Sequence, residues 1–213
     1  MRQQKIREAL DKCPLYGMTA PPYFSGGNVA AVQMMIQCGF SIVQYRDKDA
    51  PIRQKLEELK EIRRITQEAG VLLIVNDHLD LAMSIKADGV HLGQDDFPLA
   101  EARQVVGEEM ILGLSTHTPA QAQAAEKVNA DYIGVGPVHH TVTKPHEPKA
   151  GIDYLEYVHQ HIQLPFVALG GVTEENLPPL RAAGAKNVCI VKDFWEAENL
   201  PSKFNRLLHI LIS

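Results

Sequence analysis

The sequence predicts a single (β/α)8 barrel, a TIM barrel, preceded by a short N-terminal helix. Short apolar runs of strand length alternate with polar segments of helical pattern, and this alternation repeats eight times. Several runs consist almost entirely of Val, Ile and Leu, as in VLLIV, which is typical of parallel strands buried on both faces. No linker or low-complexity segment divides the 213 residues, so we expect one domain over residues 1–213.

The predicted strands follow one another at regular intervals. Their expected positions are residues 15–19, 40–45, 71–76, 89–92, 110–115, 131–135, 165–169 and 187–191. The polar segment 1–12 precedes them and predicts the N-terminal helix. The fragments QCGF, EAGV and AAGA each place glycine between a helix and the next strand, so the repeating unit is one helix and one strand. This repetition favours a closed barrel over the alternative, a doubly wound open sheet.

Three of the intervening helices have clear end signals. The segment 51–69 carries apolar residues at helical spacing and is followed by Gly70, the residue expected after a helix C-terminus. Thr118 precedes a proline, which predicts an N-cap followed by a proline in the first turn. Thr173 and Asn176 are expected to open the helix that ends near residue 184.

The composition favours a small-molecule partner. A formal net charge of −5 without a basic stretch does not indicate nucleic-acid binding. No segment approaches the roughly 20 apolar residues of a membrane span, and residues 1–12 do not resemble a signal peptide. The three cysteines lack CxxC spacing and are interpreted as reduced thiols. We therefore expect a cytoplasmic protein, and the sequence leaves a homo-oligomer open.

A cationic segment follows the second predicted strand. Reacting groups in such barrels lie at the C-terminal ends of the strands. Alternation places Gln44, Arg46 and Lys48 together on one side, and the residues between them point the other way. An arginine beside a lysine suits a diphosphate. The alternative is an exposed loop in which the cations pair with Asp47 or Asp49.

Acidic residues follow the next two strands. Asn76 and Asp77 end the third strand, and the segment HLGQDD, which contains Asp96, follows the fourth. Neighbouring strands lie ~5 Å apart, so Asp77 and Asp96 can share one ion. Magnesium typically takes one or two carboxylates together with phosphate oxygens and water. These residues predict a Mg²⁺ site, and the alternative for each aspartate alone is a helix N-cap.

Ser115, Thr116 and His117 follow the fifth strand. Adjacent serine and histidine residues suggest a nucleophile, but neighbours in sequence do not imply an oriented Ser–His–acid arrangement. We interpret Ser115 as a hydroxyl that donates a hydrogen bond to a departing oxygen.

The loop after the sixth strand is long, and such loops are usually lids or binding elements. Within it, Thr141, Thr143 and Lys144 offer two hydroxyls and a cation. Its three histidines lack firm ligand spacing, and we interpret them as solvated rather than as a metal site.

The loops after the seventh and eighth strands predict a phosphate pocket. Gly170 and Gly171 follow the seventh strand and precede a helix N-terminus, while Val191 and Lys192 end the eighth. The corresponding loops form a recurrent phosphate site in barrels of this class.

Six segments together resemble the thiamine-phosphate synthase family. They are QYRDK, VND, VHLGQDD, LGLSTHT, GPVHHTVTK and ALGGV, in that order and at family-like spacing across nearly the whole chain. Two departures from the family pattern stand out: the strand 1 end keeps only Thr19 of the usual Ile-Thr-Asp, and Lys192 replaces a common serine.

The resemblance implies a transferase that joins 4-amino-2-methyl-5-(diphosphooxymethyl)pyrimidine to 4-methyl-5-(2-phosphoethyl)thiazole, or its carboxylated precursor, and releases pyrophosphate. Diphosphate would leave first and the thiazole nitrogen would then capture the cation. No protein nucleophile is then required, and Ser115, Lys144 and Arg46 would act on the leaving group. The residues implied for the pyrimidine diphosphate are Gln44, Arg46, Lys48, Asn76, Ser115 and Lys144; for Mg²⁺, Asp77 and Asp96; and for the thiazole phosphate, Thr141, Thr143, Gly171, Val191 and Lys192.

Three other functions stay open at this point. A thiazole tautomerase of similar fold would use His117 as its acid or base, but would have little use for two aspartates and two cations together. A phosphate-sugar isomerase would need a positioned carboxylate base without the metal set. A non-catalytic ligand-binding regulator is the third.

Overall fold

The computed structural model describes residues 1–140 and 150–213, and it confirms the predicted barrel. Each strand pairs in parallel with the next one along the chain. The strands are β1 (Gly17–Met18), β2 (Ile42–Tyr45), β3 (Leu72–Asn76), β4 (Gly89–Leu92), β5 (Ile111–Thr116), β6 (Tyr132–Val135), β7 (Phe166–Leu169) and β8 (Val188–Cys189).

The sheet closes between its first and last strands. The Tyr16 amide donates to the Val188 carbonyl (2.9 Å), and the Val188 amide donates to the Pro14 carbonyl (3.0 Å). Leu15 and Val188 form a parallel bridge. These contacts exclude the open-sheet alternative. Because pairing at the closure is short, β1 and β8 have two residues each, fewer than the sequence predicts.

Helices follow the strands around the barrel. The helices are α1 (Arg2–Lys12), α2 (Gly27–Cys38), α3 (Ile52–Ala69), α4 (Leu79–Ser84), α5 (Leu99–Val106), α6 (Pro119–Lys127), α7 (Gly151–His161), α8 (Leu177–Ala182), α9 (Lys192–Trp195) and α10 (Leu200–Ile212). No helix in residues 1–140 and 150–213 combines the length and apolar character that a bilayer crossing requires.

Two of the predicted helix ends are confirmed, and the third is confirmed for Asn176, the N-cap residue of α8, but not for Thr173. Gly70 has a left-handed conformation (φ 65°) after α3, and the Thr118 side chain accepts from the Gln121 amide at the start of α6. Helix α8, however, begins at Leu177. Thr173 and Asn176 hydrogen-bond each other's amides through their side chains, and this exchange closes a turn before the helix begins.

Helix α1 covers the N-terminal end of the barrel. Its buried residues, Ile6, Ala9 and Leu10, pack with inward-facing residues from the starts of strands, such as Ile42 and Ile111. Other strand residues, such as Val43 and Leu73, pack outward against the surrounding helices. One end of the barrel is therefore filled by apolar side chains, which leaves the C-terminal ends of the strands for a ligand.

The buried carboxylate of Asp131 fastens this covered end. It accepts from Arg2 Nε of α1 (3.0 Å), from Arg103 Nη2 of α5 (2.7 Å) and from the Leu112 amide (2.9 Å). Only 2% of the Asp131 side chain is exposed. Because two cations and a backbone amide share one carboxylate, Asp131 links two helices to the sheet.

Candidate active site

A cavity of about 450 Å³ opens at the C-terminal ends of the strands and reaches inward to Tyr16 and Tyr132. Seven of the predicted site residues contribute to its wall. They are Gln44, Arg46, Asn76, Ser115, Gly171, Val191 and Lys192. These residues come from five different strands or the segments that follow them, so the barrel brings together side chains that are distant in sequence.

The segment after β2 divides as the alternation predicts. Gln44 and Arg46 face the cavity, whereas the buried Tyr45 points outward and donates its hydroxyl proton to Glu58 (2.8 Å). The outward Asp47 accepts from Asn28 (2.9 Å) and from two loop amides. In the alternative, Arg46 and Lys48 would pair with Asp47 or Asp49. Among the described residues, neither aspartate forms an ion pair with these two cations.

Lys48, Asp77 and Asp96 form a charged group beside the cavity. Lys48 Nζ lies 3.9 Å from Asp77 Oδ2. The Asp77 and Asp96 side chains are in hydrogen-bond contact, and Asp96 also accepts from the Gly93 amide (2.7 Å). Burial and the adjacent Asp96 carboxyl raise the pKa of Asp77, although Lys48 and Arg46 act in the opposite direction.

Asp77 has a left-handed backbone conformation (φ 63°), which aspartate tolerates better than most residues. Its amide donates to the His91 carbonyl (2.9 Å), which holds the turn against β4. Two carboxylates held this close repel each other unless a proton or a cation lies between them. The pair therefore fits a divalent cation.

Two carboxylates would not by themselves enclose such a cation. In the described part of the chain, no group of three or more His, Cys, Asp or Glu side chains is arranged to hold a metal. Magnesium characteristically keeps several waters and binds one or two carboxylates plus phosphate oxygens. The observed donor set suits that ion, and the Mg²⁺ assignment stays a prediction.

A chain of hydrogen bonds that the sequence did not predict runs through the barrel interior to Ser115. Gln44 Nε2 donates to the Tyr16 hydroxyl (3.0 Å), which lies 2.8 Å from the Tyr132 hydroxyl. The Tyr132 hydroxyl lies 2.9 Å from His91 Nδ1, and His91 Nε2 lies 2.9 Å from Ser115 Oγ. The two tyrosines and His91 are all buried.

One orientation of the protons satisfies each of these bonds. Because Gln44 donates to Tyr16, the Tyr16 proton can go to Tyr132, and the Tyr132 proton to His91 Nδ1. His91 then donates from Nε2 to Ser115 Oγ, which leaves the Ser115 proton directed toward the cavity. The network is thus compatible with a Ser115 hydroxyl that donates to a ligand, as the sequence predicts.

Glycines make room for these interior rings. A Cβ atom at Gly113 would collide with the rings of Tyr132 and His91, and one at Gly134 would lie within 3.3 Å of the His91 ring. The sequence did contain a signal for this network: His91 is followed in the next two strands by Gly113 and Gly134, which leave space for its ring.

His117, the residue that a tautomerase would use, also lines the cavity. Its Nδ1 lies 2.6 Å from the Gly136 carbonyl oxygen, which can only accept, so Nδ1 carries a proton. In the neutral ring, Nε2 is then the acceptor. Position alone does not separate the two functions.

The loops after β7 and β8 form the far wall. Gly171 has a left-handed conformation (φ 68°), and a Cβ atom there would lie 2.6 Å from the His140 carbonyl oxygen. Both this backbone conformation and the closeness of the His140 carbonyl oxygen therefore favour glycine at position 171. The helix that follows, α8, begins at Leu177, six residues after Gly171. Lys192 begins α9, and its Nζ lies 3.9 Å from Glu196 Oε1.

Three predicted site residues, Thr141, Thr143 and Lys144, lie outside the described residues. Their roles stay predictions from the sequence.

Comparison with known proteins identifies the family. A family model described as thiamine monophosphate synthase matches residues 15–194. The chain belongs to the thiamine monophosphate synthase family. This finding agrees with the resemblance seen in the six sequence segments.

Members of the thiamine monophosphate synthase family match over nearly the full chain. A thiamine-phosphate synthase of Pelotomaculum thermopropionicum is 50% identical over 214 residues, covering 99% of this chain and 98% of that protein. Another, of Caldicellulosiruptor saccharolyticus, is 42% identical and covers 92% and 90%. The solved structure of a thiamine phosphate pyrophosphorylase from Pyrococcus furiosus has a TM-score of 0.84 and 29% identity, covering 93% of this chain and 95% of that one.

Proposed function

We propose that the chain is a transferase that forms thiamine phosphate from the pyrimidine diphosphate and the thiazole phosphate, or its carboxylated precursor, and releases pyrophosphate. The observation that carries the proposal is that Gln44, Arg46 and Ser115 converge on one cavity, with the Asp77 and Asp96 carboxylates beside it. A cation and a hydroxyl next to a paired acidic site suit a diphosphate leaving group.

The interior of the cavity supports the pyrimidine as its ligand. Gln44 Oε1 is buried and has no hydrogen-bond partner in the described part of the chain, which is costly for a polar atom unless a ligand completes it. Gln44 Oε1 would accept from the exocyclic amine of the pyrimidine. The flanking Tyr16 and Tyr132 rings provide apolar area for the ring itself.

Arg46, Lys48, Asn76 and Ser115 would then hold the diphosphate. Arg46 and Lys48 provide positive charge from one strand end, and the proton of Ser115, directed to the cavity by His91, would stabilise the departing oxygen. Lys144, predicted from the sequence, would add a second cation there. Asp77 and Asp96 would bind Mg²⁺, whose chemistry is to neutralise negative charge on the leaving group.

These residues would not form a covalent bond to the substrate. Their proposed task is to accept negative charge, exclude water and hold the two rings in line, so that the thiazole nitrogen captures the pyrimidine cation. Within the described residues, His91 contacts Ser115 and Tyr132 through its two ring nitrogens, and this arrangement is not a Ser–His–acid triad.

The thiazole phosphate would lie against the opposite wall. Gly171, Val191 and Lys192 contribute to it, and Thr141 and Thr143 complete the set that the sequence predicts. Lys192 in place of the common serine would offer a mobile point charge instead of a hydroxyl. We expect the phosphate to be retained by a different hydrogen-bond pattern.

The other expectations from the sequence belong to the same proposal. They are a single domain over residues 1–213, small-molecule substrates, a cytoplasmic location, no nucleic-acid or membrane partner, and compatibility with a homo-oligomer. The net charge of −5 supports the absence of a nucleic-acid partner.

The test is an assay for pyrophosphate with Mg²⁺ and each substrate alone, then with both. We expect pyrophosphate and thiamine phosphate in equal amounts when both are present. Release of pyrophosphate at the same rate without the thiazole phosphate would show a hydrolase, and no thiamine phosphate under any condition would refute the proposal.

A further inference from the structure

We propose that Lys203, on α10 and outside the cavity, is a positioning residue for the thiazole phosphate. This proposal rests on the proposed function. Lys203 would hold the loops after β7 and β8 in a fixed relation and offset the charge of the acidic side chain that each loop carries, Glu174 and Asp193.

The ammonium group of Lys203 bridges the two loops directly. Lys203 Nζ lies 2.6 Å from Asp193 Oδ2 and 2.9 Å from Glu174 Oε2, and only 8% of its side chain is exposed. The Glu174 amide donates to the same Asp193 oxygen (2.9 Å). Lys203 thus ties the segments after β7 and β8 to α10, and the Glu174 amide bond joins these two segments directly.

Both carboxylates are next to residues of the cavity wall. Glu174 follows Thr173, and Asp193 follows Lys192; Thr173, Lys192 and Asp193 itself line the cavity. A shift of either loop would therefore change the distance between the Gly171 side and the Lys192 side of the predicted phosphate pocket. Lys203 determines that distance without contacting the pocket's interior.

Charge gives the second part of the argument. Two carboxylates beside a pocket for a phosphate dianion would repel the ligand unless a cation offsets them. Burial opposes the charged form of Lys203, yet hydrogen bonds from it to Asp193 and Glu174 raise its pKa overall. Hydrogen bonds from Arg206 and Lys203 lower the pKa of Glu174. Lys203 and Glu174 are thus ionised at neutral pH.

The chain offers a matched control in Arg206. Its guanidinium group donates to both Glu174 oxygens (2.8 and 3.2 Å), but 54% of its side chain is exposed and the two bonds reach one loop. Loss of Arg206 removes an ion pair from the same carboxylate and leaves the Lys203 bridge in place. A general effect of surface charge would appear in variants of both Lys203 and Arg206. An effect of the Lys203 bridge would appear only in the Lys203 variant.

The experiment measures KM for each substrate in wild type, Lys203→Met, Lys203→Arg and Arg206→Gln. We expect Lys203→Met to raise KM for the thiazole phosphate at least about tenfold, which is ~1.4 kcal/mol, and KM for the pyrimidine diphosphate less than about twofold. Lys203→Arg should recover most of the loss, and Arg206→Gln should stay within about twofold of wild type for both.

A second variant separates charge from folding. Adding Glu174→Gln to Lys203→Met removes a carboxylate that has lost one of its two cation partners, so KM for the thiazole phosphate should fall back toward the wild-type value. This double variant also serves if Lys203→Met alone does not fold. Equal changes of both KM values, or a lower melting temperature with unchanged KM, would make Lys203 a purely structural residue. Wild-type protein that forms no thiamine phosphate would instead refute the proposed function.

Discussion

The side-chain hydroxyl of Thr19 exchanges two hydrogen bonds with the backbone of Arg46. Oγ1 donates to the Arg46 carbonyl (3.0 Å) and accepts from the Arg46 amide (2.8 Å). Thr19 is completely buried, and its own amide donates to the Gln44 carbonyl (2.9 Å). The one residue of the strand 1 motif that this chain keeps therefore fixes the backbone from which Arg46 enters the cavity.

Thr19→Val should consequently impair turnover through Arg46. Valine has nearly the same shape but loses both bonds, so we expect a decrease in kcat/KM of about tenfold, or ~1.4 kcal/mol. Thr19→Ser keeps the hydroxyl and should retain most activity. The measurement is a double-mutant cycle with Arg46→Ala. If Thr19→Val lowers kcat/KM by the same factor in the Arg46→Ala background, Thr19 does not act through Arg46.

The Asp77–Asp96 pair predicts dependence on a divalent cation. Activity should disappear with excess EDTA and return with Mg²⁺ or Mn²⁺, because the leaving diphosphate needs charge neutralisation. Asp77→Ala or Asp96→Ala should cost several kcal/mol of transition-state stabilisation, on the order of 10²- to 10⁴-fold in rate. Full turnover in excess chelator would exclude the metal assignment.

Ser115 is expected to act as an oriented donor. Ser115→Ala should lower the single-turnover rate on the order of 10- to 1,000-fold without abolishing it, as for the loss of one such donor. Tyr132→Phe interrupts the chain to His91 and should lower the rate by a smaller factor, with Ser115 still present. Mass spectrometry after a quench should find no adduct, and a trapped covalent intermediate on Ser115 would overturn this role.

One assay on three variants separates the synthase from the tautomerase. Arg46→Ala and Lys144→Ala should slow bond formation by at least about tenfold each, since both cations stabilise charge that develops on the leaving group. A proton transfer on the thiazole involves no diphosphate, so a tautomerase would be nearly unaffected by them. His117→Ala would disable it. If wild type forms no coupled product but interconverts thiazole isomers, and only His117→Ala stops this reaction, the chain is a tautomerase and not a synthase.

The network at the covered end of the barrel predicts a large stability effect far from the cavity. Asp131→Ala leaves Arg103 and the Leu112 amide without their buried partner, so the free energy of unfolding should fall by about 3–5 kcal/mol. Urea denaturation is the measurement. The control is Glu108→Gln. The Glu108 side chain is 76% exposed and pairs with Arg2, so its loss should change the free energy of unfolding by less than about 0.5 kcal/mol.

The barrel could be predicted from the sequence because its signals are local. Apolar runs, helix periodicity and glycines at helix ends repeat eight times, and each repeat supports the same fold. The signal at the start of α8 was also local: Asn176 is the N-cap residue, whereas Thr173 lies one turn before the helix. The pattern of Thr173 and Asn176 fits either an N-cap or a closed turn, and the sequence could not show which amides the two side chains would meet.

The candidate site was predictable to the extent that its residues end strands. Gln44, Arg46, Asn76 and Ser115 could be placed at the cavity because alternation and strand order determine where such positions lie. The links between distant residues could not be predicted. Tyr16 and Tyr132 are more than a hundred residues apart, and only three-dimensional packing brings their hydroxyls together. The same holds for Lys203, which lies about ten residues from Asp193 and about thirty from Glu174.

Among the described residues, Gln44 Oε1 has no hydrogen-bond partner, and the cavity reaches inward to Tyr16 and Tyr132. A flat ring with an amine would pack against the two tyrosines, and its amine would donate to Gln44 Oε1. The substrate would in that sense be part of the protein's core. A ligand that binds only the folded barrel stabilises it. The fraction of protein with bound ligand and the free energy of unfolding should therefore rise together with ligand concentration.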